Sequence, residues 1–87
     1  MKILKNATAG TLESSDVYVE IEPGTEGIQL QLESVVAQQF GESINAVVRE
    51  VLREQGVENA SVRIVDRGAL ECVIRARVET AILRGKE

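Results

Sequence analysis

With 87 residues, 44% of them apolar, and no run of about 18 consecutive apolar positions, the chain is expected to form one small domain over residues 1–87 with no membrane span. Its net charge of −4 is uneven: residues 1–44 hold two lysines against seven acids, and residues 45–87 hold eight cations against seven acids. With Tyr18 and Phe40 as its only aromatics, the chain offers no stacking platform for bases, and its acidic half repels a phosphate backbone, so nucleic-acid binding is not expected.

In chain order, Ala7–Leu12 is a weak strand candidate. Val17, Val19 and Ile21 then alternate with Tyr18, Glu20 and Glu22, and Ile28, Leu30 and Leu32 alternate with Gln29, Gln31 and Glu33, the period-2 pattern of half-buried strands. Between them, Pro23-Gly24-Thr25-Glu26-Gly27 has the fixed φ of proline and the freedom of glycine, so a hairpin joining the two is predicted. If the first strand pairs with the second, Glu13-Ser14-Ser15-Asp16 becomes the turn at their tip.

From Ser34 the period lengthens to three and four: Val36, Phe40, Ile44, Val47 and Val51 fall on one helical face. Gly41 is expected to bend that helix or restart it with Ser43 as cap, and Gln55-Gly56 to end it. Val62–Val65 reads as a short strand. Asp66 is then expected to cap a last helix whose face takes Leu70, Val73, Ile74, Arg77, Ala81 and Ile82. The stretch from Cys72 to Glu79 also alternates as a strand would, and length favours the helix. The order β-β-β-α-β-α describes an α+β fold, a small mixed sheet of about four strands with helices packed on one face.

The chemistry is defined largely by exclusion. With no histidine and the single Cys72, a Ser-His-Asp triad, imidazole or thiolate-cluster metal sites and an internal disulfide are ruled out, and a cytoplasmic setting is expected. Neither G-x-G-x-x-G nor G-x-x-x-x-G-K-[ST] occurs. A chain this small has little core to spare for an elaborate pocket, so catalytic residues and a resident metal are not expected. Cys72 reads as a small core hydrophobe, Arg75, Arg77 and Arg84 as a solvated face, and Glu13 and Asp16 as solvated turn acids. Ser14 and Ser15 are poor nucleophiles without a base, and this chain supplies none; a hydroxyl there gains a role only if another enzyme modifies it.

The segment AGTLESSDV, residues 9–17, followed in order by QQFG at 38–41 and RGALECVIRARVE at 67–79, resembles the acyl carrier protein of citrate lyase, the small γ subunit of that complex. The resemblance implies a non-catalytic carrier whose serine holds 2'-(5''-phosphoribosyl)-3'-dephospho-CoA through a phosphodiester. Aligned on AGTLES, that serine is Ser14, with its neighbour Ser15, where glycine or another small residue is expected, as the alternative. An arm-transferring enzyme would supply base and metal: the serine oxygen attacks the phosphorus of a triphosphate precursor, and pyrophosphate leaves. The implied partners are the α subunit, which exchanges acetate for citrate on the arm's thiol, and the β subunit, which releases oxaloacetate from the citryl thioester and regenerates the acetyl form.

Two other readings stand beside it: the carrier of a malonate decarboxylase, with the same kind of arm on a similar scaffold, and an unmodified interaction module whose Ser-Ser-Asp turn is only a turn. If the arm is present, Glu13 and Asp16 would each repel a phosphate ~7 Å away by roughly 0.6 kcal/mol in water, a mild bias that keeps the arm off its carrier.

Overall fold

Alternation along the strands and the three-four spacing along the helices sort the chain into two layers. The computed structural model describes residues 1–86. It contains β1 (Ala7–Gly10), β2 (Val17–Pro23), β3 (Ile28–Ser34), α1 (Ala37–Glu54), β4 (Ala60–Asp66) and α2 (Glu71–Gly85), the α+β order expected. The four strands form one mixed sheet in the order β1-β2-β4-β3, and α1 and α2 pack together on its inner face. That face buries Val17, Val19 and Ile21 of β2 and Val62 and Ile64 of β4 against Ile44, Val48, Val51 and Leu52 of α1 and Ile74, Val78, Ala81 and Ile82 of α2. Each such valine, leucine or isoleucine side chain contributes about 1.5–3 kcal/mol on leaving water.

The first and second strands pair antiparallel as expected, Ala7 opposite Ile21 through Gly10 opposite Tyr18. The predicted hairpin between β2 and β3 does not form. β4 lies between them, antiparallel to β2 and parallel to β3, so residues 24–27 carry the chain past a strand position. Apolar demand explains the insertion. On β4, Val62 and Ile64 face the core while Val65 points to the other face and is still only 2% exposed, whereas Ile28, Leu30 and Leu32 of β3 are no more than half-buried. The strand with apolar groups on both faces takes the centre, the amphipathic one takes the edge, and α1 supplies the crossover that a parallel pair requires.

Helix α1 begins at Ala37, and Ser34 closes β3 instead. Gly41 does not restart the helix, which runs unbroken through it: an interior glycine costs about 1 kcal/mol, less than the burial of the apolar face beyond it recovers, and Ser43 caps nothing. Gly56, at φ +73°, supplies the left-handed residue that ends α1. Residues 71–85 are helical, settling the helix-strand ambiguity, but Leu70 and not Asp66 occupies the position before α2, and Leu70 is 71% exposed rather than on the buried face. Cys72 is exposed as well, two residues before Ile74 and so on the opposite side of the helix from the stripe that Ile74 and Val78 bury, and its reading as a core residue is corrected.

The three arginines of α2 are structural rather than a free basic face. Arg75 donates to Glu50 at 3.0 Å and to Glu54 at 2.6 Å, tying α2 to α1, and Arg84 donates to the Thr8 carbonyl at 2.9 Å, tying it to β1. Arg77 reaches the serine turn. Among the described residues no helix is long and apolar enough to cross a membrane.

Candidate functional site

Strand register gathers the pieces at one end of the sheet. Gly10 pairs with Tyr18, Val17 with Asp66 and Ser34 with Asp66, so the β1-β2 connection, the β4-α2 loop and the start of α1 all meet there. Gly10 makes the approach possible: its φ is +92°, and a Cβ there would lie 1.9 Å from the Val17 carbonyl oxygen.

The Asp16 amide donates to the Glu13 carbonyl at 3.1 Å, closing a four-residue turn with Ser14 and Ser15 at its centre. Ser15 has φ +66° and is the only non-glycine residue with positive φ among those described. That third turn position favours glycine, which gives a physical reason for the small residue expected there. The Ser15 amide donates to the Arg67 carbonyl at 2.8 Å and the Arg67 amide to the Asp16 carbonyl at 2.9 Å, so the β4-α2 loop grips the turn from one side. From the other side the Glu13 amide donates to Thr11 Oγ1 at 3.2 Å. Ser14 and Ser15 are both exposed, and neither hydroxyl has a hydrogen-bond partner among the described residues.

Asp16 is not the solvated acid expected. Its side chain is 15% exposed and accepts from Thr11 Oγ1 at 2.6 Å, the Val17 amide at 2.8 Å, and Arg77 Nε and Nη2 at 3.2 and 3.0 Å. The Thr11 hydroxyl, then the Val17 amide and Arg77, hold its carboxyl down at about 2. With Asp16 neutralised by Arg77, and the exposed Arg67 fixed against the turn, only Glu13 remains as unpaired negative charge there. The acidic tip expected to push an arm away does not exist as such. The one sign of this pair in the sequence was Arg77 on an otherwise apolar helical face, a position that calls for a carboxylate partner.

A second carboxylate fixes the neighbouring loop. Asp66, 1% exposed, accepts from Ser34 Oγ at 2.8 Å and from the Ala69 amide at 2.9 Å, while Ser34 Oγ accepts from the Val36 amide at 3.1 Å. One buried acid thus joins the end of β3, the entry to α1 and the approach to α2, which is why it does not cap α2. Beside it lies a cleft of about 330 Å³ between the N-terminal halves of the two helices.

Residues 4–85 match the family described as the malonate decarboxylase delta subunit, an acyl carrier protein family. The citrate lyase acyl carrier protein 2 of Salmonella typhimurium is 60% identical over 88 residues, covering all of this chain and 91% of the relative. The citrate lyase acyl carrier protein of Klebsiella pneumoniae is 54% identical with the same coverage. A chain in the crystal structure of a Pseudomonas malonate decarboxylase hetero-tetramer in complex with malonate shares the fold, with a TM-score of 0.83 over 97% of this chain and 87% of that one at 24% identity. The class that the family match and these relatives define, on a fold shared with that structure, is therefore that of the small acyl carrier proteins. Within it, the chain belongs to the citrate lyase acyl carrier protein family.

Proposed function

We propose that this chain, acting as a single domain in the cytoplasm, is the non-catalytic acyl carrier subunit of citrate lyase, with Ser14 as the attachment point of 2'-(5''-phosphoribosyl)-3'-dephospho-CoA. The observation that carries the reading is an exposed, unbonded serine hydroxyl at the tip of a turn held from both sides, in a chain of this family. When bound, the arm supplies a thiol on which acetyl and citryl groups travel as thioesters between the α and β subunits.

The chain's own residues present the site. Ser14 stands at the first central position of the turn, open to an arm-transferring enzyme. Ser15, the alternative, is disfavoured because its backbone is the element that grips Arg67 in a left-handed conformation. Arg67, bound to the turn through its backbone, carries an exposed cation on the adjoining loop, a charge suited to a phosphodiester. No base near Ser14 is needed if the transferring enzyme provides it. A tethered thioester meets successive active sites at high effective concentration, so a clamped attachment point with a flexible arm suits a carrier.

The family description and the shared fold also support the carrier of a malonate decarboxylase, while the higher identities fall on citrate lyase carriers. The decisive experiment is the intact mass of the chain made together with its attachment enzymes, with fragmentation across residues 8–23. A gain equal to the arm on Ser14, retained in Ser15→Gly and lost in a folded Ser14→Ala, supports the reading. A chain without the arm beside a modified control carrier overturns it. Reconstitution with citrate lyase subunits against malonate decarboxylase subunits separates the two carriers.

A further inference from the structure

We propose that the cleft between the N-terminal halves of α1 and α2 holds the adenine of the arm, so that the nucleoside is docked on the carrier and only the pantetheine end swings; the inference rests on the carrier reading given above. The cleft shares a wall with the serine turn. Arg67 is bound to the turn through both its amide and its carbonyl, and the next two residues, Gly68 and Ala69, line the cleft.

The lining selects among the chemical parts of such an arm. Val36, Phe40, Ile44, Val47 and Ile74 make its walls apolar, with Phe40, 52% exposed, presenting an aromatic ring without a partner stack. The polar groups in the lining are Ser43, Asp66 and Glu71, and no cation is among them. Carboxylates and apolar walls repel phosphates and acyl carboxylates, but they suit a flat uncharged base whose amino group donates and whose faces stack. A volume of about 330 Å³ is at the small end of pockets that take organic ligands, enough for a base and short of the whole arm. Outward from Ser14 the arm runs phosphodiester, ribose, adenosine, pyrophosphate and pantetheine, so adenine is the first uncharged aromatic group to meet the cleft. Arg67, exposed and with no ion pair among the described residues, belongs to the loop bound to the turn that carries Ser14.

The test uses holo chain labelled with carbon-13 and nitrogen-15 and carrying an unlabelled arm, with isotope-filtered NOEs read from the adenine H2 and H8 protons. NOEs to the methyls of Ile44, Val47 and Ile74 and to the Phe40 ring are expected, and they should vanish in Ser43→Trp, an exposed position from which the indole fills the cleft. Adenine protons without such NOEs, NOEs from the pantothenate methyls in their place, or NOEs that persist in a folded Ser43→Trp overturn the inference while leaving the carrier reading intact. A mass without the arm on Ser14 overturns both.

Discussion

The two ends of the sheet are built by different means. At the serine end, two aspartates organise the connections: Asp16 collects Thr11, the Val17 amide and Arg77, and Asp66 collects Ser34 and the Ala69 amide. At the opposite end, main-chain and amide contacts do the joining: the N-terminal amine donates to the Gly56 carbonyl at 2.9 Å, the Gly27 amide to Asn59 Oδ1 at 2.7 Å, and the Leu4 and Lys5 amides to the Gly85 carbonyl at 2.9 and 3.2 Å. Leu12, Val35, Phe40 and Leu70 are left exposed at the serine end, against Met1 and Leu4 at the other. Holding a turn still while presenting it to other molecules leaves little packing to work with, and charge-assisted hydrogen bonds substitute for it.

Substitutions can break this contrast. Gly10→Ala is expected to have the largest effect, about 3 kcal/mol or more, because a left-handed φ and a 1.9 Å approach to the Val17 oxygen must both be relieved; urea unfolding measures it. Asp66→Ala leaves the Ser34 hydroxyl and the Ala69 amide without their acceptor in a buried site, a loss of about 2–3 kcal/mol in the same assay.

Asp16→Asn should cost about 1–2 kcal/mol at neutral pH, and its pH dependence identifies the cause. The folded carboxyl titrates at about 2 against 3.8 in the unfolded chain, so between those values the unfolded state binds more protons. Asp16's contribution is full above pH 3.8 and disappears as pH falls toward 2, and the stability gap between wild type and variant should close over that window. A gap that stays constant through it would assign the loss to packing.

Ser15→Gly should raise stability by about 0.5–1 kcal/mol, a Tm increase of a few degrees in calorimetry, by relieving the +66° φ. At the opposite end, Asn59→Ala removes one exposed hydrogen bond and should cost under about 1 kcal/mol; a larger loss would erase the contrast between the ends.

Much of this was legible in the residues, for definable reasons. Periodicity located both helices and the strands that bury one face, and the AGTLESSDV segment located the candidate serine. Strand order was not legible between β2 and β3, because a Pro-Gly loop fits a hairpin and a crossover equally well. What decided it was Val65, an apolar residue on the outer face of β4 that only a central position buries. The carboxylates escaped for a related reason: Asp16 and Arg77 are 61 residues apart, and Asp66 resembles a helix cap until its partner Ser34 is placed beside it. Cys72 reads inward from its apolar surroundings, and the helix rotation set by Ile74, Val78 and Ala81 turns it out; Leu70 keeps the helical spacing of that stripe but lies just before the helix in an extended conformation, which leaves it in solvent.

The grip of Arg67 on the turn has a consequence for amide exchange with solvent. Exposed turn amides ordinarily trade their protons rapidly, yet those of Ser15 and Arg67 close a ladder that continues directly from the Val17-Asp66 pair of the central strands. In deuterium oxide they should exchange with the slow kinetics of β2 and β4 rather than of a loop. A load applied to anything fixed on Ser14 would then pass into the middle of the sheet, the region that opens last.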